Sequence, residues 1–244
     1  MEQKDADFSK LVFADSKNSK EFLDSSINHK WLIADLHIHS KYSRACSKDL
    51  NFENLVKWAR IKGLNLLGTG DFTHPIWVKE IEKLREEKGI YWMMASSDSA
   101  ESRKEFTDKS VNKEFPFILS SEISLIYTKN NKGRKVHLVY LAPNLSVVGK
   151  INAWLDTKGR RDYDGRPIFG ISCRDFAAKM EEIDNRIEVI PAHSWTPHFG
   201  IFGSESGFDK LKDAFEDKID FIHAIETGIS SDPEMNWKIK DLDD

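Results

Sequence analysis

A chain of 244 residues, 40% apolar and 31% charged, is long enough for one sizeable core and at most two small domains. Its formal net charge of −4 gives no global reason to bind nucleic acid, so such a partner would need a local basic patch or metal ions that reverse the sign in a cleft. Cys46 and Cys173 lie far apart, which excludes a disulfide framework and a Cys-rich zinc module. The N-terminus is too polar for a secretory signal, and no apolar run approaches membrane-spanning length. A cytoplasmic protein without a membrane partner is expected.

Residues 1–30 read as a polar extension in which "KLVFADS" could add a short edge element, and residues 31–244 as one domain. Within that domain β-forming runs alternate with amphipathic stretches. "WLIADLH" (31–37) reads as a strand. "NFENLVKWARIKG" (51–63) reads as a helix with an apolar stripe of Leu55, Trp58, Ala59 and Ile61 and a stop at Gly63. "LNLLGTGD" (64–71) is a strand, and "HPIWVKEIEKLREEKG" (74–89) a helix with Pro75 at its first position. "FPFILSSEI" (115–123) and "KVHLVYLAP" (135–143) are strands joined by a hairpin-like "TKNNKGRK". Helices follow at 145–159 and at 172–185, the latter opened by the Ser172/Asp175 capping pattern. A strand at 186–193, a helix at 207–217 and a strand at 219–228 complete the series. Such alternation predicts parallel βα units, with long functional loops at 95–114 and 157–170.

Polar residues fall at the ends of these strands. His37 and His39 close the first, Asp71 the second with His74 in the next turn, Glu122 a third. His137 sits in the following strand, and His193 ends a later one with His198 shortly after. In a parallel βα barrel the C-terminal strand ends converge, so these side chains would meet. The H-x-H spacing places two imidazoles on one side of a strand, able to reach one ion. Imidazoles with carboxylates suit Zn²⁺, Mn²⁺ or Fe²⁺ better than Mg²⁺ or Ca²⁺, and Glu122 could bridge two ions. Paired metals point to phosphoester hydrolysis. Single histidines are more often packed or solvated, which is the reading for His29 and, in the core, for His223. Glu226 stands between site and surface, and Asp71 and His74 have a helix cap as their plainer role.

"ADLHIHSKYSRA" resembles the first motif of the PHP (polymerase and histidinol phosphatase) metallophosphoesterases. Read in order with "GTGDFTHP", "SSEISLIY", "KVHLVYLAP", "IPAHSWTPHFGIFGSESGFD" and "ETGISSDPEMNW", it resembles the endonuclease Q family of PHP-type DNA repair nucleases. The resemblance spans Trp31 to Asp244. It implies a distorted (β/α)7 barrel with two or three divalent metals (Zn, Mn or Fe, with Mg able to support activity). It also implies incision of DNA 5′ of uracil, hypoxanthine, xanthine or abasic sites. The implied ligands are His37, His39, Asp71, His74, Glu122, His137 and His193, with Glu122, His193 and Asp71 in catalysis. Two departures accompany it. Asp71 and His74 are separated by two residues where most PHP phosphatases have them adjacent, and the family's final Asp-x-His is not found before "KIKDLDD". The expectation is a barrel incomplete at its C-terminus, weakly active or inactive alone, whose remaining part is a further partner.

For DNA, the basic stretch 157–174 with Lys158, Arg160, Arg161, Arg166 and Arg174 is the candidate phosphate track. Trp195, His198 and Phe199, with Phe202 and Phe208, are the candidate substrate pocket. The alternatives are a phosphomonoesterase of the histidinol-phosphatase kind and a non-catalytic PHP binding module.

Overall fold

Short extended runs and side-chain-capped helices set the order of elements. The computed structural model describes residues 32–94, 114–227 and 231–242. The expected extension with His29, and all but the last residue of the expected loop at 95–114, fall outside them. In chain order the elements are β1 (Ala34–Asp35), α1 (Phe52–Ile61), β2 (Leu66–Gly68), α2 (Pro75–Ile81), β3 (Arg85–Glu87), β4 (Ile90–Met94), β5 (Glu114–Lys129) and β6 (Lys132–Ala142). After them come α3 (Leu145–Asp156), β7 (Ile168–Phe169), α4 (Cys173–Ile183), β8 (Glu188–Pro191), α5 (Leu211–Phe215) and α6 (Pro233–Trp237). Two 3-10 turns lie at Glu216–Phe221 and Lys240–Leu242. Asn51, Asn144 and Ser172 cap α1, α3 and α4 by accepting from backbone N–H groups that the first helical turn leaves free.

The eight strands form one mixed sheet in the order β1-β2-β5-β4-β3, with β6 and β7 on β5 and β8 on β6. The expected parallel βα units account for only part of the sheet, while the expected hairpin is present as β5–β6. β1–β2, β2–β5 and β5–β7 are parallel, whereas β3–β4, β4–β5, β5–β6 and β6–β8 are antiparallel. The long β5 is the spine. Its start pairs with β2 and β4, and from Leu119 onward it pairs with β6. The hairpin to β6 turns at Asn130 and Asn131, both at positive φ (53° and 57°), the twist a two-residue connection requires.

Two other expected elements differ. The stretch 74–89 is helical only to Ile81. Arg85–Glu87 then forms the edge strand of a hairpin whose turn is Lys88-Gly89, both at positive φ. The segment 219–228 forms no strand over its described residues: a 3-10 turn runs to Phe221, and the chain beyond is irregular.

The core lies under the loops that follow β1 and β2. Trp77 is fully buried, stacks on Phe52 at 4.4 Å and donates its indole N–H to the carbonyls of Thr69 and Gly70 (3.0 and 2.9 Å). Phe72 meets Tyr140 edge-on at 5.0 Å, and Tyr140 meets Phe176 at 5.2 Å. Aromatic packing thus clamps the Gly70–Phe72 segment from below. No helix among the described residues is long and apolar enough to cross a membrane.

Candidate metal centre

His37 and His39 lie just past β1 and point the same way because they are two residues apart in extended chain. Their segment lies close against Gly70, where an added Cβ would overlap the Ile38 carbonyl. Glu122 stands in the interior of β5 rather than at a strand end as expected, and His137 sits within β6 as expected. Their register (Glu122 opposite Val139, Ser124 opposite His137) makes them diagonal neighbours on one face, within side-chain reach. His193 follows β8 at φ 31° and Asp71 follows β2 at φ 47°. Left-handed backbone at two non-glycine residues is strain of the kind that functional sites hold.

Glu122 is the hub, with 1% of its side chain exposed. Its Oε2 lies 3.3 Å from His37 Nε2 and 3.1 Å from His39 Nε2, while Oε1 lies 3.0 Å from His137 Nδ1 and 3.3 Å from His193 Nε2. Each carboxylate oxygen therefore faces its own pair of imidazoles. Two ligand atoms on one ion, each at about 2.0–2.2 Å, sit roughly 3.0–3.5 Å apart, which is the spacing seen. His37, His39 and Glu122 form one set of ligand atoms within 4.8 Å of one another, and Glu122, His137 and His193 a second. Imidazole nitrogens sharing a carboxylate fit borderline divalent ions.

Behind these atoms a second layer fixes the rings. Asp71 Oδ1 lies 2.9 Å from His39 Nδ1, and Asp71 Oδ2 accepts from Ser40 N, Ser40 Oγ and Ser43 Oγ at 2.6, 2.7 and 2.9 Å. Both oxygens of Glu226 lie within 3.0 Å of His37 Nδ1, and Oε2 also accepts from His193 N at 2.6 Å. Thr196 Oγ1 lies 2.9 Å from His193 Nδ1, and Phe199 stacks on the His137 ring at 4.2 Å. Partners on Nδ1 leave Nε2 of His37, His39 and His193 facing Glu122.

The electrostatics follow. Burial would raise the Glu122 carboxyl, but hydrogen bonds to His137, His193, His37 and His39 hold it well below the usual carboxylate range. Burial works against a proton on His37 and His39, yet their carboxylate neighbours outweigh it. Glu122 and Glu226 raise His37 to about 10, and Asp71 and Glu122 raise His39 to about 9. His137 is lowered, chiefly by burial.

The structure thus brings together His37, His39, Glu122, His137 and His193. It sets Asp71 behind His39 and leaves His74 aside, where it caps α2 and stacks on Tyr42 at 4.3 Å. Glu226, between site and surface by sequence, is in the site. Its signal was a carboxylate closing an apolar run, as with Glu122. Ser40, Ser43 and Thr196 carried no such signal. His223 is not packed in the core: 55% of its side chain is exposed, and it pairs with Glu188 at 2.9 Å.

The basic stretch is less free than expected. Arg160 pairs with Asp162 and Arg174 with Asp217. Arg161, only 11% exposed, pairs with Asp156 and donates to the Thr73 carbonyl. Arg166 instead turns inward and donates to Glu122 Oε2 at 3.0 Å. Trp195 donates its indole N–H to Asn236 and packs on Phe202, Phe208 is buried over Arg134, and His198 is exposed.

No family model matches the chain. It is 31% identical over 180 residues to an uncharacterized protein of Methanocaldococcus jannaschii, covering 73% of this chain and 18% of that one. It is 25% identical over 222 residues to an uncharacterized protein of Bacillus subtilis, covering 87% and 52%. The chain thus spans about a fifth and about half of the lengths of these relatives. Among solved structures it is similar to the lesion-specific endonuclease Q of Pyrococcus furiosus, with 32% identity and a TM-score of 0.65 over 84% of this chain and 44% of that one. It is equally similar to endonuclease Q bound to a 27-mer duplex with an abasic lesion at the active site, at 32% and 0.66 over 85% and 45%. A protein of Bifidobacterium adolescentis taken to be a metal-dependent phosphoesterase shares the fold, at 14% identity and a TM-score of 0.50 over 87% and 83%. Fold and cluster together fit a PHP-domain protein. Within that class the chain is close to endonuclease Q.

Proposed function

We propose that this chain is the metal-binding part of a DNA repair endonuclease that hydrolyses the phosphodiester 5′ of uracil, hypoxanthine, xanthine or an abasic site. The observation that carries the reading is Glu122, each of whose oxygens faces its own pair of imidazoles. The 32% identity with endonuclease Q, including its complex with abasic DNA, supports the substrate class. The fold is read as the distorted (β/α)7 barrel of PHP proteins.

His37, His39, Glu122, His137 and His193 would hold two Zn²⁺, Mn²⁺ or Fe²⁺ ions. Such ions supply hydroxide near neutral pH and stabilise the leaving oxygen of a phosphate ester. Glu122 remains ionised and keeps the two halves of the site in register. Asp71, Glu226 and Thr196 hold the His39, His37 and His193 rings by Nδ1 and so aim their Nε2 atoms inward. Asp71 is thus assigned behind a ligand rather than as one. Phe199 walls the site beside His137 and offers an aromatic face for an extruded lesion.

The test is metal content by mass spectrometry alongside incision of labelled oligonucleotides carrying each lesion, with a generic phosphomonoester as comparison. Two bound ions and a cut on the 5′ side of lesions are expected. Phosphomonoester turnover without incision would overturn the reading.

A further inference from the structure

We infer that Arg166 and Arg44 form a two-cation bracket for neighbouring phosphates of one nucleic-acid strand, Arg166 at the metal centre and Arg44 outside it. The inference rests on the reading of the cluster as a metal centre acting on DNA.

The bracket is built by one buried carboxylate. Asp164 Oδ1 accepts from the backbone N–H of both Arg44 (3.2 Å) and Arg166 (3.1 Å), which sets the two residues side by side although they are far apart in sequence. The segment carrying Arg166 is tied into the site on every side. Gly165 donates its N–H to the Tyr42 carbonyl, Thr73 Oγ1 donates to the Gly165 carbonyl, and Ser124 N donates to the Pro167 carbonyl. Gly165 sits so close that an added Cβ would run into the Asp71 carboxylate and Ser43 Oγ. The loop carrying Arg44 is equally fixed, closed by Lys41 N to the Leu50 carbonyl at 3.0 Å and anchored through Ser43 to Asp71.

The two side chains differ from five other arginines. Arg85, Arg160, Arg161, Arg174 and Arg186 each have a carboxylate oxygen within 3.0 Å outside the centre. Arg166 gives one N–H to Glu122, is 33% exposed, and has no other side-chain partner among the described residues. Its remaining fork of donors suits a phosphate held against the centre. One carboxylate hub shared by four imidazoles and a guanidinium becomes strongly positive once divalent ions join it, which calls for an anion. Arg44 is 78% exposed, and its Nε lies 3.8 Å from Asp164 Oδ2, too far for a hydrogen bond. Any phosphate would meet Arg166, but only a strand reaches Arg44 as well.

The test uses the Mn²⁺-loaded protein and two probes, inorganic phosphate by calorimetry and a short undamaged fluorescent duplex by anisotropy across a salt series. R44A should lower the slope of log K against log salt by about 0.9, one phosphate contact, and leave inorganic phosphate binding unchanged. R166A should weaken phosphate about tenfold or more and weaken the duplex too, with R166K intermediate; R186A should change neither. Thermal melts check folding, and R44K, which retains the charge, should retain the slope. An unchanged slope in R44A, or an unchanged phosphate affinity in R166A, overturns the bracket. Full-slope duplex binding by a protein that incises nothing overturns the nuclease reading and leaves the bracket. Normal incision with an unchanged R44A slope does the reverse.

Discussion

Glu122 presents one negative charge to four imidazoles, and its variants report directly on the centre. Glu122→Gln keeps the shape but removes the charge, so at least one ion should be lost per chain, read by metal analysis. Asp71→Asn should lower metal affinity about 10- to 100-fold without changing the ligand count, because it disturbs only what lies behind His39. A pH effect follows from the same contacts. In the metal-free protein the folded values of His37 and His39, about 10 and about 9, lie above the ordinary 6.5. Their contribution to stability is therefore fully present below about 6.5 and lost as pH rises through 9 to 10. Bound metal requires neutral imidazoles, so the metal-loaded form lacks this loss. The gap in Tm between loaded and metal-free protein should widen over that range; a constant gap would contradict the assignment. The five residues of the cluster were legible because imidazoles and a carboxylate recur in or just after successive predicted strands. Arg166 was legible as a basic residue but not as a partner of Glu122, since only the packing of Gly165 turns it inward.

At the level of elements, sequence patterning located most segments and misjudged their lengths. The Glu- and Lys-rich stretch after Ile81 has the propensity of a helix, but sheet pairing with Tyr91 and Trp92 wins and folds it into an edge strand. Caps were legible because Ser172 and Pro75 act locally, whereas sheet direction was not, since it depends on partners distant in the chain. The β5–β6 hairpin offers a check remote from the centre. Asn130 has φ 53°, where a β-branched residue is strained. Asn130→Val should cost about 1–2 kcal/mol in chemical denaturation and leave metal affinity unchanged. Asn131→Gly should be neutral or slightly stabilising.

Across the whole molecule, the centre gathers side chains from β5, β6 and the segments that follow β1, β2 and β8, so ions bound there tie the fold together. Stripping them with a chelator should lower stability by about 2.7 kcal/mol per ion relative to metal at a hundred times its Kd, seen as a drop in Tm that added metal reverses. The last contributor has a consequence for the order of events in the cell. Glu226 reaches back 189 residues to orient His37, and it is held beside β8 by Glu226 N to the Pro191 carbonyl, Ser194 N to the Glu226 carbonyl and His193 N to its Oε2. In a nascent chain that has presented "HIH", Glu122 can meet Nε2 of the first of those rings, but Nδ1 waits until this late carboxylate has left the ribosome. An ion that needs this ring oriented would therefore be captured only once Glu226 has emerged, from whatever metal the surroundings then supply.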